Sequence, residues 1–182
     1  DLPTLRSFIG NGVPTLIRRS FAARDLPCEG EGHRAALEEF HAVYDAAPAA
    51  LASLYPGVTS LIDDLSARGL PLGLCTNKYE RGTALVLDAF GLGQAFGAVI
   101  GGDTLPVLKP DPAPLRLCVE RLGVDPARVI YVGDSEVDAE TAQAADIRFA
   151  LFTGGYRRSA PEAIPARRRF DDFATLARSL AC

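Results

Sequence analysis

The chain has 182 residues and a mass of 19.3 kDa, with 48% hydrophobic and 23% charged residues, ample for a core that needs no staples. A net charge of −4 argues against the basic face that a nucleic-acid or anionic-membrane partner requires. No apolar run approaches the ~20 residues of a membrane span. The N-terminus has no basic-then-apolar leader pattern. The chain also contains no Met, so the expectation is a processed or trimmed sequence, or one given without its beginning.

Residues 1–54 read as helical, with apolar positions at helical spacing in Val13, Leu16 and Ile17 and again in Leu37, Phe40, Val43 and Tyr44. Breaks are expected at Gly10-Asn11-Gly12, at Leu26-Pro27 and across Glu29-Gly30-Glu31-Gly32. Tyr55-Pro56-Gly57 marks a boundary, after which helices and short apolar runs alternate. The spacing predicts helices over Val58–Arg68, Arg81–Phe90, Pro112–Leu122, Glu136–Ala145 and Phe173–Leu180, several of them stopped by a glycine. Strands are predicted over Leu70–Cys75, Ala98–Ile100, Arg128–Val132 and Phe149–Phe152. Strands that are apolar throughout, separated by helices, indicate a parallel sheet covered on both faces. The organisation is a small helical module, 1–54, followed by an open α/β domain, 55–182.

Cys28, Cys75, Cys118 and Cys182 are scattered, which disfavours a disulfide framework or a zinc site and suits a reducing cytoplasm. Cys75 and Cys118 read as buried apolar fillers. The two histidines, His33 and His41, lie in a charged helical stretch without a catalytic partner and read as surface residues. Acid–base or metal chemistry therefore rests on carboxylates and lysine.

In open parallel sheets, ligands bind beyond the carboxyl ends of the strands. Polar residues collect at those ends here: Thr76-Asn77-Lys78 after Leu72–Cys75, Lys109-Pro110-Asp111-Pro112 beyond Val99-Ile100, and Gly133-Asp134-Ser135 with Glu136 and Asp138 after Val129–Val132. Each has a plainer reading. Thr-Asn serves as a turn or cap, Lys109 as a solvated loop lysine, and Gly-Asp-Ser as an N-cap. Converging on one site, a hydroxyl, a lysine and carboxylates suit phosphoryl chemistry: hydroxyl and N–H groups grip phosphate oxygens, lysine neutralises charge, and carboxylates hold Mg²⁺.

These segments resemble the haloacid dehalogenase superfamily, whose ordered motifs are Asp-x-Asp, Ser/Thr, Lys and an acidic pair. Thr76 is similar to the second motif, Lys109 to the third, and Gly133-Asp134-Ser135-Glu136-Val137-Asp138 to the fourth. Ser7–Pro14, Tyr55–Val58, Thr76-Asn77-Lys78, Ile100–Asp103, Val132–Asp138 and Thr153–Tyr156 resemble the phosphoglycolate phosphatase branch. The resemblance implies a Rossmannoid parallel sheet with the helical module as a small cap. It implies a Mg²⁺-dependent phosphatase of a small phosphorylated metabolite, 2-phosphoglycolate first, acting through an aspartyl-phosphate. Thr76 and the Asn77 N–H would hold a phosphate oxygen, Lys109 would shield charge, Asp134 would ligate Mg²⁺, and Asp138 would serve the metal from behind that ligand or through a water. Glu136 reads as a surface acid.

The Asp-x-Asp motif has no counterpart among the 182 residues, so the expectation is that the cap's start and the core strand bearing the nucleophile lie ahead of Asp1. Two further departures are Asp146, where relatives carry Gly and a left-handed cap is expected, and Tyr79, where many carry Pro. Asn11 and Gly12 of the cap loop are candidates for contact with the substrate's carboxylate, the alternative being a plain turn. Arg18 and Arg19, and the clusters Arg157-Arg158 and Arg167-Arg168-Arg169, read as solvated. Alternatives are another capped phosphatase, a pyrophosphatase, a phosphomutase, or a catalytically dead binding domain if Asp1 is the true start. A monomer or homodimer in the cytoplasm, with no nucleic-acid or membrane partner, completes the expectation.

Overall fold

The computed structural model describes residues 2–50 and 52–180, so Asp1 and Cys182 lie outside the described residues. The chain opens with three helices, α1 (Leu2–Ser7), α2 (Val13–Ala22) and α3 (Glu31–Ala46). Gly12 (φ 80°) and Gly30 (φ 95°) precede α2 and α3 in conformations that a side chain rarely tolerates. The break expected across Glu29–Gly32 therefore narrows to Gly30, and Gly32 is helical. The inner face of α3 corrects the reading of the histidines as surface groups. His33 is half-buried and meets Phe21 of α2 edge-on at 5.8 Å, and His41 meets Tyr79 edge-on at 4.3 Å.

From Val58 the chain alternates: α4 (Val58–Ala67), β1 (Gly73–Cys75), α5 (Glu80–Ala89), β2 (Ala98–Ile100), α6 (Ala113–Leu122), β3 (Ile130–Gly133), α7 (Glu136–Ala145), β4 (Arg148–Phe152), β5 (Arg168–Phe170) and α8 (Phe173–Ser179). Strand β3 starts later than expected because Pro126–Arg128 forms a 3₁₀ turn, capped by Asp125, whose Oδ1 accepts from the Ala127 N–H. Strand β5 was not legible. Three arginines read as a polar surface, and they do expose Arg168 and Arg169, but the backbone pairs with β4 and buries Phe170. Charge along a sheet edge is a common protection against further pairing.

All strand pairs are parallel. They form two ladders rather than the one sheet expected: β1 with β2 (Gly73 opposite Ala98), and β3–β4–β5 (Ile130 opposite Arg148, Ala150 opposite Arg168). Among the described residues no ladder joins β1 to β3. A side chain spans that interval instead, since Lys109 Nζ donates to the Cys75 carbonyl at 3.3 Å and to the Tyr131 hydroxyl at 2.9 Å.

The core follows the two-residue period of β4. Ala150 and Phe152 face Leu61 of α4 and Leu176 of α8, while Phe149 and Leu151 face Ala139 and Ala142 of α7. Burial on both faces explains why β4 is apolar from Phe149 onward, as parallel strands usually are. Helix α6 closes the β1–β2 ladder, its Cys118 packed with Ala98 and Ile100. The carboxyl ends of β1 and β3 consequently open toward the same side, where Lys109 reaches both.

Candidate active site

Each site residue is held by a local device at a strand end. Leaving β1, the Thr76 N–H bonds the Ile100 carbonyl at 2.9 Å, and Thr76 Oγ1 accepts the Lys78 N–H at 3.1 Å, which turns the chain back toward α5. Asn77 is tied into this turn by its side chain. Its Oδ1 accepts the Lys109 N–H at 2.9 Å, and its Nδ2 donates to the carbonyls of Lys109 (3.0 Å) and Gly10 (2.9 Å). One amide thus ties the β1 turn, the lysine loop and the loop between α1 and α2. A Cβ on Gly102 would lie 2.4 Å from the Asn77 carbonyl, so only glycine allows the neighbouring loop to close this tightly.

Lys109 precedes a cis proline and points inward. Its ammonium lies 2.7 Å from Asp138 Oδ1 and 2.9 Å from the Tyr131 hydroxyl, with side-chain exposures of only 10% for Lys109 and 7% for Asp138. The Tyr131 hydroxyl in turn bonds Asp138 Oδ1 at 2.9 Å. The other carboxylate oxygen of Asp138 accepts from Ser135 Oγ (2.7 Å) and from the N–H groups of Asp134 (3.1 Å) and Ser135 (3.2 Å). Burial opposes ionisation of Asp138, but the charge and hydrogen bond of Lys109, with Ser135 and Tyr131, hold its carboxyl below the usual range. The same carboxylate, after burial itself, pushes the Tyr131 phenol well up.

Asp134 differs in kind. It is half-buried, and its Oδ2 accepts the Tyr156 N–H at 2.7 Å. Burial dominates and raises its carboxyl above the ordinary value, opposed by that N–H and by Lys109 and reinforced by Asp138. A desolvated carboxylate short of compensation favours a cation beside it. Gly155 cradles it, since a Cβ there would stand 1.9 Å from Asp134 Oδ2. Asp134 thus fits a magnesium ion as one ligand. Among the described residues no group of three His, Cys, Asp or Glu gathers beside it.

The arrangement brings Thr76, Asn77, Lys109, Asp134 and Asp138 to one place. It also reassigns some of them. Both oxygens of Asp138 are engaged, by five donors in all, and the residue holds Lys109 and caps α7 through its box with Ser135. Glu136 is not a free surface acid. Its Oε1 accepts the N–H groups of Arg158 and Ser159, which outweigh burial and lower its carboxyl. Arg157 and Arg169 are also engaged rather than merely solvated: Arg157 donates to the Thr153 carbonyl, and Arg169 to those of Pro161, Glu162 and Ile164.

Arg19 donates to the Phe8 carbonyl at 3.1 Å, while Arg18 is exposed. Asn11 and Gly12 sit beside the β1 turn, a Gly12 Cβ falling 3.6 Å from the Asn77 carbonyl. Asp146 takes the expected left-handed cap of α7 (φ 60°, ψ 43°). Tyr79 caps α5 at φ −60°, a value proline shares, and its hydroxyl donates to Asp45 at 2.6 Å. Tyr131 is the member of this cluster that the sequence did not single out. The signal was a phenol set in an otherwise apolar strand, which buried tyrosines use to reach a polar partner.

Comparison with known proteins agrees with this layout. Residues 4–146 match the family model of haloacid dehalogenase-like hydrolases. The chain is 49% identical over 164 residues to a phosphoglycolate phosphatase of Cereibacter sphaeroides, covering 90% of this chain and 74% of that protein. It is 40% identical over 180 residues to a phosphoglycolate phosphatase of Rhodospirillum rubrum, covering 97% and 75%. Among solved structures, a predicted phosphoglycolate phosphatase of Haemophilus somnus 129pt superposes with a TM-score of 0.89 at 28% identity, covering 97% of this chain and 80% of that one. CbbY of Rhodobacter sphaeroides, in complex with phosphate, superposes with a TM-score of 0.77 at 25% identity, with the same coverage.

Proposed function

The chain belongs to the haloacid dehalogenase-like hydrolases, and from that premise we propose that it hydrolyses a small phosphate monoester, 2-phosphoglycolate, to glycolate and phosphate. The observation that supports the reading is the linked cluster at the strand ends, in which Asn77 ties the Thr76 turn to the lysine loop, Lys109 pairs with Asp138, and the Asp138 carboxylate accepts the N–H of the desolvated Asp134. The names of the relatives support the choice of substrate. The helices of 1–54 act as a cap over a core of 55–182.

In this reading the Thr76 hydroxyl, which already accepts the Lys78 N–H, donates its own proton to a phosphate oxygen, and the Asn77 main-chain N–H takes the same oxygen. Lys109, held by Asp138 and Tyr131, presents fixed positive charge that offsets the repulsion between an anionic nucleophile and an anionic phosphate. Asp134 would hold Mg²⁺, which supplies charge neutralisation at the phosphoryl oxygens. An aspartate carboxylate oxygen attacks phosphorus as the ester P–O bond breaks, and a second aspartate gives its proton to the leaving alkoxide. That second aspartate, now a carboxylate, then takes a proton from the water that cleaves the aspartyl-phosphate. No Asp-x-Asp pair stands at a strand end among the described residues, so these two groups are not assigned here to any residue of 1–182. The scattered thiols suit a cytoplasmic enzyme, working as a monomer or homodimer on a metabolite rather than on nucleic acid or membrane.

The test is phosphate release from 2-phosphoglycolate by the full-length protein, with Mg²⁺ and after its removal by chelator. Loss of release without Mg²⁺, and in both Lys109→Ala and Asp134→Ala, is the expected result. Wild-type rates in either variant would overturn the assigned roles, and no release by the parent protein would overturn the function.

A further inference from the structure

The chain contains only two lysines among its 19 cationic residues, and both stand at this site. Lys109 is neutralised by Asp138. Lys78 has no such partner. Its main chain begins the turn after Thr76, and its side chain crosses to α3, where Nζ donates to the Tyr44 hydroxyl at 2.5 Å and lies 4.0 Å from that ring's centre. The carboxylate next along α3, Asp45, is already occupied. Arg81 Nε lies 2.8 Å from its Oδ2, and the Tyr79 hydroxyl donates to its Oδ1 at 2.6 Å. Among the described residues Lys78 makes no ion pair. A half-buried ammonium is thus met by a phenol oxygen and a π face, both neutral.

The position of this charge matters as much as its surplus. Lys78 adjoins Asn77, whose amide holds Gly10 of the cap loop on one side and Lys109 on the other. The turn after β1 therefore carries, within three consecutive residues, the candidate phosphate-gripping groups and a cation without an ion pair that reaches α3. We infer that Lys78, with the Tyr44 hydroxyl beside it, is the specificity-determining pair that receives a second anionic group of the substrate, a carboxylate one carbon from the ester oxygen. This rests on the phosphatase reading above. When the carboxylate arrives, the ammonium exchanges the phenol oxygen for a charged acceptor, and the phenol O–H, which the bond from Lys78 does not occupy, donates to the other carboxylate oxygen. Both groups gain a better partner, and the cation stays over the ring. A substrate without the carboxylate offers neither exchange.

The experiment compares kcat/KM of the full-length protein on 2-phosphoglycolate and on ethyl phosphate, which lacks the carboxylate. Wild type favours 2-phosphoglycolate. In Lys78→Met, which keeps the apolar stem, that preference falls by roughly 10- to 100-fold, mainly through KM for 2-phosphoglycolate, the worth of a charged hydrogen bond. Lys78→Arg restores part of it. Tyr44→Phe, which keeps the ring and the packing, lowers the preference more modestly and serves where Lys78→Met fails to fold. If Lys78 merely fastens α3 to the core, both esters lose rate together and their ratio stays constant, which overturns the inference. Equal rates on the two esters in wild type also overturn it while leaving the phosphatase reading intact. Failure of wild type on both esters overturns the phosphatase reading, and the inference with it.

Discussion

Replacing Lys109 by Met removes the cation from a buried pair and leaves its carboxylate behind. Asp138 keeps four donors, the Tyr131 hydroxyl, Ser135 Oγ and the N–H groups of Asp134 and Ser135, but loses the ammonium at 2.7 Å. Removing one partner of a buried pair costs about 3–5 kcal/mol, and the surviving donors place this case near the lower end, about 3 kcal/mol. For a chain of this size each kcal/mol is worth about 2–4 °C, so thermal unfolding by circular dichroism should show a Tm lower by roughly 6–12 °C. A pH series checks the cause. In the parent protein the folded-state pKa of Asp138 is depressed, so its contribution is present above the unfolded value near about 4 and is lost as pH falls through the folded value. Without Lys109 the largest influence holding that value down is gone, so the folded value moves up and Asp138 protonates sooner on acidification. The variant's deficit is then full at neutral pH and shrinks as acid protonates Asp138. A Tm change below about 2 °C, or a deficit that stays flat down to about pH 4, would refute the argument that an orphaned charge is responsible.

Other outcomes follow from the same geometry. Gly155→Ala drives a methyl into Asp134, where the new Cβ would lie 1.9 Å from Oδ2, so Mg²⁺-dependent phosphate release should collapse while the chain still melts cooperatively. Full activity would show that the observed placement of Asp134 is not needed. Burial raises the Cys75 thiol, and pushes that of Cys118 up to about 11, so iodoacetamide at neutral pH should label neither until urea is added. Mass spectrometry of the alkylated native protein checks this, and rapid labelling of Cys118 would contradict its packing. Asp146→Gly, at φ 60°, relieves a left-handed strain and should stabilise by about 0.5–1 kcal/mol in urea unfolding. A loss of stability there would mean that the Asp side chain makes a contribution larger than the strain.

Local order was legible because it is written in consecutive residues. Gly69, Gly91 and Gly123, with φ of 68°, 68° and 64°, end helices where the pattern placed stops, and Ala98–Ile100 and Glu136–Ala145 fall where periodicity set them. The convergence of Thr76, Lys109 and Asp134 was legible too, because parallel strands send their carboxyl ends to one side. The arginine-rich strand Arg168–Phe170 escaped because pairing with β4, not side-chain pattern, makes it a strand. The splitting of the strands into two ladders has no signature within any one of them.

What the sequence by itself determined, then, is the alternation of elements, their stops, and which polar residues stand at strand ends. Tertiary structure alone decided what those residues do there. Lys109, 29 residues away, is what holds one oxygen of Asp138, and α3, 34 residues before Lys78, is what puts Tyr44 beneath that charge. Backbone preference depends on a few neighbours and is encoded locally. The charge state and availability of a side chain depend on burial and on partners from distant segments, which only the folded chain brings within hydrogen-bonding range.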